Sequence, residues 1–327
     1  MIKANQGRAV LACALLLSVG SAQAADASAS YPDKPVRIVT GSPGSTSDFA
    51  ARFVAQKLTE RWGRQVVVDN RPGAGGIIGA EIVAKSAPDG YNLIVGQIGT
   101  HASPQFLFKK LAYDPVRDFV PITLLTNSGI ALTINASMPV ATTKEFVAYA
   151  KSRPGKVNYA SAGGGTSSQL SGELFNQMTG AQLVHIPYKG AGFALTAVVS
   201  GETQAAFLST TTANVQVKAG KLKALAVMSP KRFAAAPDIP SITEAGFPGI
   251  EASVWFGLLA PAGTPKAIVD KINKDTVAIL GTQEAKDALL NQGAEPVPQT
   301  PQEFDAFLKA EIAKWGRVIK AAGIQAQ

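Results

Sequence analysis

Short apolar runs recur along this chain at intervals too long for hairpins and right for crossover helices. VRIVT at 36–40 reads as a strand, a turn rich in Gly, Ser and Thr follows, and 48–61 has helical spacing. QVVVD at 65–69 and YNLIVG at 91–96 repeat the strand pattern, with a helix over 77–85 between them. Parallel strands need a crossover of a dozen or more residues, and strands buried on both faces read as unbroken apolar runs. The pattern therefore predicts an α/β protein with a parallel, doubly wound sheet covered by helices.

The rhythm restarts downstream. Strands are expected at 130–134, 157–160, 183–186, 205–208, 222–227 and 254–260, with helices over 142–151, 167–178 and 193–199. A turn-rich connection covers 237–248. The last 60 residues are mainly helical, and Thr264-Pro265 and Thr300-Pro301 each supply an N-cap followed by a good first helical residue. Two α/β units result, with no low-complexity linker. Crossing segments near 124–126 and 254–256 predict a two-strand hinge and a cleft: lobe 1 from 25–126 plus 255–327, and lobe 2 from 127–254.

The first residues bear on where such a chain works. Lys3 and Arg8 precede an apolar stretch at 9–19, and Ala22-Gln23-Ala24 has the small-residue form of a cleavage site. Eleven residues are too few to cross a bilayer, which needs about 20. Residues 1–24 are thus expected to be a cleaved signal peptide, with a mature chain from Ala25. Val10-Leu11-Ala12-Cys13 loosely resembles a lipidation context, but cleavage there would leave almost no apolar segment upstream. Without Cys13 the mature chain has no cysteine, so it needs no disulfide and has no thiol nucleophile.

The charge balance excludes further classes. The chain carries +8, and loss of Lys3 and Arg8 leaves 29 basic against 23 acidic residues, or +6. These are scattered and form no Lys/Arg stripe, so no nucleic-acid partner is expected. Two His and no mature Cys fall short of a usual zinc site, and no metal or cofactor is expected.

Two loops carry the functional signal. Gly41-Ser42-Pro43-Gly44-Ser45-Thr46-Ser47-Asp48 lies between a strand and a helix. Helix N-termini hold N–H groups without intrahelical partners and a partial positive charge, an anion site that needs no Arg or Lys. The plain alternative is a capped helix, with Ser45 and Asp48 at capping-box spacing. Ser161-Ala162-Gly163-Gly164-Gly165-Thr166-Ser167-Ser168-Gln169 repeats the arrangement, and its three glycines would let a ligand approach the backbone. Thr166 and Gln169 have the same spacing. Both loops follow the carboxyl end of a strand, where open α/β sheets bind ligands.

Other chemistry fits less well. Gly73-Ala74-Gly75-Gly76-Ile77-Ile78-Gly79 has G-x-G-x-x-x-G spacing, and the next strand ends in Gly96-Gln97 without the acid of a dinucleotide site, so close packing of helix on sheet is preferred. No G-x-S-x-G elbow and no phosphate-loop pattern occurs. A serine hydrolase would need His101 or His185 as its base. His185, before Pro187, reads as a core or hinge residue. His101 follows the third strand and is open to either a cleft or a structural role. Lys189, in Tyr188-Lys189-Gly190, reads as a solvated or hinge residue rather than a Schiff-base amine.

Four segments resemble one family closely: Asn70-Arg71-Pro72-Gly73-Ala74-Gly75-Gly76, Pro88-Asp89-Gly90-Tyr91, His185-Ile186-Pro187-Tyr188-Lys189-Gly190, and Trp255-Phe256-Gly257-Leu258-Leu259-Ala260-Pro261. They look like landmarks of the Bug family, the extracytoplasmic solute-binding receptors of tripartite tricarboxylate transporters. Glu311-Ile312-Ala313-Lys314-Trp315 matches too, and the similarity covers essentially the whole mature chain. The resemblance implies a two-lobed, Venus-flytrap periplasmic binding protein, type II-like, from a Gram-negative periplasm. Such receptors bind a small organic carboxylate, deliver it to a membrane permease, and usually act as monomers. A sensor docking a signalling protein is the alternative partner class.

The family's ligand loops correspond to Gly44, Ser45, Thr46, Ser47 and Asp48 in one lobe. In the other they correspond to Ser161, Gly164, Gly165, Thr166 and Ser167, while Thr100 and His101 are implied to face the cleft. Three departures matter. Ser45 stands where a second glycine is usual, and Gln169 where the family commonly has His. Leu208-Ser209-Thr210 follows Phe207 where an Asp is frequent. Losing that acid removes an acceptor for an amino group, so a ligand without an ammonium is expected, with Ser209 among its contacts.

Overall fold

The computed structural model describes residues 30–73 and 76–326. The expected signal peptide at 1–24, Cys13, and Ala74-Gly75 of the glycine-rich motif lie outside the described residues.

The first strands and helices follow from their patterns. β1 (Val36–Thr40) buries Val36, Ile38 and Val39 completely. α1 (Thr46–Trp62) ends at Gly63, whose left-handed backbone lets its N–H reach Thr59 O. β2 (Val66–Asn70) and β3 (Asn92–Gly96) pair parallel on either side of β1. Between them α2 (Ile77–Ala84) packs close to β1: a methyl on Gly79 would stand 3.0 Å from Val39 Cγ1. β3 runs into a single π-helical turn, Ile98–Ala102, and then into the short α3 (Pro104–Leu107).

β4 (Phe119–Asn135) is 17 residues long and organises the rest. After it come α4 (Thr143–Lys151), β5 (Asn158–Ser161), α5 (Ser167–Thr179), β6 (Val184–Pro187), α6 (Ala191–Ser200), β7 (Ala205–Ser209), α7 (Thr210–Lys218) and β8 (Leu222–Val227). β9 (Ser253–Pro261), α8 (Lys266–Leu280), α9 (Gln283–Asn291), β10 (Glu295–Pro296) and α10 (Pro301–Ala321) complete the chain.

The strand order is β2-β1-β3-β9-β4-β7-β5-β6, with β8 and β10 also on β4. The sheet is therefore mixed, where a parallel one was expected. β1–β3 and β5–β7 are parallel triads, but β9 runs antiparallel to both β3 and β4, and β4 antiparallel to β7 and β8. The antiparallel pairs arise where the chain passes from one triad to the other and back. Phe119 to Gly129 of β4 pair with β9, and from Ile130 onward the partners are β7 and β8. The change of partner lies at Gly129–Ile130, downstream of the crossing expected near 124–126. Around it stand two α/β halves, the two-lobed architecture anticipated from the motifs.

Two local readings need correction. Thr264 is not an N-cap: Pro265 occupies that position, and Thr264 Oγ1 donates to Pro261 O (2.7 Å). Thr300 does cap α10, in a reciprocal capping box with Glu303. α7 was not anticipated, because Thr210-Thr211-Thr212 is poor helix sequence. It forms with Ser209 Oγ accepting from Thr212 N (3.4 Å) and Ala213 buried beneath.

Candidate functional site

The N-termini of α1 and α5 are the same turn made twice, Gly44-Ser45-Thr46-Ser47-Asp48 and Gly165-Thr166-Ser167-Ser168-Gln169. Gly44 and Gly165 both have φ of 74°, a left-handed conformation that a side chain would strain. Ser45 and Thr166 hold the extended N-cap geometry. Ser45 Oγ lies 2.9 Å from Ser47 Oγ, and Thr166 Oγ1 3.0 Å from Ser168 Oγ.

The capping boxes expected at these spacings are displaced by one residue. Asp48 Oδ2 accepts from Gly44 N (2.9 Å), and Gln169 Oε1 from Gly165 N (2.7 Å), rather than from the N-cap residues. Ser45 Oγ still accepts from Asp48 N (3.3 Å), whereas Thr166 Oγ1 turns away and donates to Gly163 O (2.7 Å). Each turn thus uses up its glycine N–H internally. The first-turn amides have no intrahelical acceptor, and those of Thr46 and Ser167, the first residues of their helices, are among them.

Thr46 and Ser167 line one cavity of about 770 Å³ between the two halves, together with Gly44, Ser45, Gly164, Gly165 and Thr166. Ile77, Ile98, Leu107 and Phe108 add apolar surface from the first half, and Phe207 and Leu208 from the second. β4 contributes Ser128 and Ile130, β9 contributes Val254-Trp255-Phe256, and Ser209, Thr211 and Thr212 stand at the start of α7. Among the described residues that line it, none is charged. Hydrogen bonds cross between the halves at the edges: Ser103 Oγ to Gly165 O (3.3 Å), Thr211 Oγ1 to Gln292 O (2.7 Å) and Ala234 N to Glu295 Oε1 (2.8 Å).

The structure brings eight of the sequence-derived candidates to this cavity: Gly44, Ser45, Thr46, Gly164, Gly165, Thr166, Ser167 and Ser209. Ser47, Asp48, Thr100, His101, Ser161 and Gln169 stand behind it. Asp48 is buried and also accepts from Asn70 Nδ2 (2.9 Å) and from Arg52. Burial raises its pKa, but the hydrogen bonds from Arg52, Asn70 and Gly44 outweigh burial and hold the carboxyl below its ordinary range. It stays ionised and braces the loop.

Thr100 and His101 do not face the cleft. The π-helical turn carries them inward, where Thr100 Oγ1 lies 2.8 Å from His101 Nδ1 and the imidazole meets Phe119 edge-on, with centroids 4.5 Å apart. His101 is fully buried, and desolvation pulls its pKa down to about 3. It is neutral and structural.

Ser161 and His185 do meet, with Oγ 2.5 Å from Nε2. The proton inventory argues against a nucleophile. Gly165 N can only donate, so the Gln169 atom facing it is the carbonyl oxygen. Gln169 Nε2, 3.3 Å from His185 Nδ1, is then the donor of that pair. Nδ1 accepts, Nε2 carries the proton, and Ser161 Oγ receives it. A histidine donating to the serine cannot take that serine's proton.

Sequence reading missed Ser128, Ile130, Thr211, Thr212 and Gln292. The first two lie on a strand whose lining face is set by its change of partner, which leaves no local mark. Trp255 was singled out only as a motif residue. Its indole N–H donates to the buried carboxylate of Glu311 (2.8 Å), which accepts equally from Trp315 (2.8 Å) and pairs with Lys314. The two C-terminal motif segments are thus one packed unit, with Trp255 and Phe256 in the cavity wall and Glu311 and Trp315 backing it.

Comparison with known proteins bears on this geometry. The family model described as "Tripartite tricarboxylate transporter family receptor" matches residues 50–324. Protein BugT of Bordetella pertussis (strain Tohama I) is 32% identical over 321 residues, 98% of this chain and 98% of that protein. The solved structure of R. palustris Rpa4515 with adipate is 36% identical with a TM-score of 0.82, covering 91% of this chain and 100% of that one. The periplasmic binding protein BugD is 34% identical with a TM-score of 0.77, covering 91% and 100%.

Proposed function

This chain belongs to the tripartite tricarboxylate transporter receptor family, and from that premise we propose that it is a periplasmic receptor. It captures a small organic carboxylate between its lobes and hands it to the membrane permease of such a transporter. The observation that carries the reading is the duplicated turn, which offers first-turn amides from each half to a single uncharged cavity. We take the lobes to divide where β4 changes partners and where β9 begins. Residues 1–24 are then removed on export and the mature protein acts as a monomer. Among the described residues no helix is long and apolar enough to cross a membrane.

The magnitudes suffice. Hydrogen bonds to a charged group contribute about 1.5–3 kcal/mol each, and a helix N-terminus adds up to about 2 kcal/mol in partly buried geometry. Two amides with the hydroxyls of Thr46 and Ser167 sum to about 6–12 kcal/mol before association losses, against the roughly 8 kcal/mol of a micromolar complex, and apolar burial of the ligand in the closed cavity supplies the remainder. An ammonium would find no carboxylate on the wall, since Asp48 is engaged behind it and Ser209 stands where the resemblance would place an acid. Aspartate and glutamate are disfavoured. The tautomer of His185 likewise favours binding without turnover.

Thermal unfolding against a panel of carboxylates, their amides and amino acids tests the reading. A bound carboxylate at one hundred times its Kd should add about 2.7 kcal/mol of stability, with no effect from the matching amide. Equal stabilisation by acid and amide, selective binding of aspartate, or turnover of esters would each contradict it.

A further inference from the structure

We propose that His185 is a positioning residue of the second ligand loop: its ring, protonated on Nε2 alone, holds both ends of the Gly163–Gly165 turn, and a further proton on the ring releases that turn and weakens carboxylate binding. The effect on binding rests on the receptor reading, while the latch itself does not.

The ring reaches the turn by two arms. Nε2–H donates to Ser161 Oγ (2.5 Å), which also accepts from Gly163 N (3.1 Å). Nδ1 accepts from Gln169 Nε2 (3.3 Å), and Gln169 Oε1 accepts from Gly165 N (2.7 Å). Gly164 lies between the two anchored amides, and Gly164, Gly165 and Thr166 line the cavity. Gly163 O receives Thr166 Oγ1 (2.7 Å), which ties the N-cap of α5 to the same turn. Gly165 O receives Ser103 Oγ (3.3 Å) from the other half, so an anchored residue also carries a contact between the lobes.

A proton on Nδ1 turns the acceptor for Gln169 into a second donor. If the Gln169 amide keeps its orientation, its Nε2 and the new Nδ1–H face each other as two donors. If the amide turns over, its oxygen takes Nδ1–H, and its Nε2 then faces Gly165 N–H, again two donors. Either way the relay loses a bond, and in the second arrangement Gly165 loses its anchor.

The ring is half-buried on β6, which among the described strands pairs with β5. Tyr159 and Glu173 are the titratable groups that face it, from β5 and α5. The Tyr159 ring lies 5.1 Å away between centroids, and its hydroxyl donates to Glu173 Oε1 (2.6 Å). Burial raises the pKa of Tyr159, which stays neutral, and burial lowers that of His185 below its ordinary value. The latched turn favours the neutral ring. Ligand bound to that turn therefore disfavours the proton, and affinity falls as pH drops through the ring's midpoint, below about 6.5, and levels off above it.

The chain holds two histidines, so ¹⁵N–¹H spectra of its imidazoles show two rings, which His101→Gln tells apart. His185 should carry its proton on Nε2 at about pH 7.5. The Gly163 and Gly165 amide signals should shift, and their hydrogen exchange quicken, at the midpoint of the His185 titration. Gln169→Glu offers acceptors to Gly165 N–H and to a protonated Nδ1 together. It should raise the His185 midpoint and keep both glycine amides protected through it. Calorimetry with adipate and with malate from about pH 7.5 to 5 reads the binding. Wild-type Kd should rise by up to about tenfold per pH unit below the midpoint, and Gln169→Glu should lose that dependence. Each ligand titrates alike against both proteins, so the difference between them is the signal. A proton on Nδ1 at the higher pH, a ring that takes no further proton before the protein unfolds, or a His185 midpoint that leaves the glycine amides unmoved overturns the latch. Equal pH dependence in the two proteins overturns its link to binding. Failure of wild type to bind either diacid at the higher pH overturns that link and counts against the receptor reading, while the amide signals still judge the latch.

Discussion

Replacing Gly165 by Ala separates what the proposed ligand loops cost in folding from what they do in closure. Gly165 and Gly44 share φ of 74°, where a Cβ costs about 1–2 kcal/mol in an L-residue. Nothing lies within 4 Å of a methyl on Gly44, so Gly44→Ala reports that backbone cost alone. A methyl on Gly165 would instead run into Leu107 Cδ1 of α3, which belongs to the other half of the molecule. That clash exists only while the halves are together, and overpacking of this kind costs about 1–3 kcal/mol. Chemical denaturation should show both variants destabilised by about 1–2 kcal/mol. Titration with the best carboxylate should show Kd raised roughly 5- to 150-fold in Gly165→Ala alone. Gly164→Ala, with ordinary φ and open space around the new methyl, should keep wild-type stability. Leu107→Ala removes the obstructing carbons and should restore binding to Gly165→Ala, a coupling that a double-mutant cycle measures. Wild-type affinity in Gly165→Ala, or no rescue by Leu107→Ala, would refute the claim that this contact belongs to the bound, closed form.

Two further outcomes follow from buried polar groups. His101, held at a pKa of about 3 by burial, stays neutral in the native protein while the unfolded chain protonates near 6.5, and burial lowers the pKa of His185 in the same direction. The unfolded state then binds more protons below pH 6.5. Stability should fall as pH drops from 6.5 to 5, by up to about 1.4 kcal/mol per unit from His101, and stay flat above. Urea midpoints across this range check it: His101→Gln should flatten the slope, and identical wild-type midpoints at both ends would contradict it. Glu311→Ala should cost roughly 2–6 kcal/mol by stranding the two buried indole N–H groups of Trp255 and Trp315, each worth about 1–3 kcal/mol unpaired. Denaturation followed by tryptophan fluorescence reads that loss, and a change under 1 kcal/mol would refute the shared role.

The parts of this fold that were legible in sequence are those where local chemistry and tertiary role agree. VRIVT and NLIVG are apolar because their strands are buried on both faces, and the Gly/Ser/Thr turns are visible because a left-handed backbone and a helix cap each require a narrow set of residues. Where the two diverge the sequence was opaque. The first half of β4 contains Pro121 and two shifts of register, so it lacks the look of a central strand although it joins both halves of the molecule. Thr210-Thr211-Thr212 reads as strand or loop, and becomes helix through its cap and through burial. Thr100 and His101 follow β3 as cleft residues would, but a π-helical turn rotates them into the core against Phe119. A one-residue change of helical pitch is invisible to periodicity and decides which side of the wall a side chain occupies. The candidate site was accordingly half visible: the first-turn amides could be inferred from turns, the strand face bearing Ser128 could not.

The use of two modest anion sites in place of one arginine has a thermodynamic consequence for a receptor. A guanidinium on one lobe would hold a carboxylate whether or not the other lobe had closed. In the proposed site each half offers first-turn amides and hydroxyls, Thr46 on the one side and Ser167 on the other, both of which line the cavity. Contacts from the second half exist only after closure, and two hydrogen bonds to a charged group are worth about 3–6 kcal/mol. Shifting a two-state equilibrium from 1:99 to 99:1 needs about 5.5 kcal/mol of differential affinity. The contribution withheld by the second lobe is therefore of the size needed to convert a mostly open receptor into a mostly closed one. A permease that recognises the closed form would then read occupancy from shape, and reopening would surrender those same contacts and release the ligand.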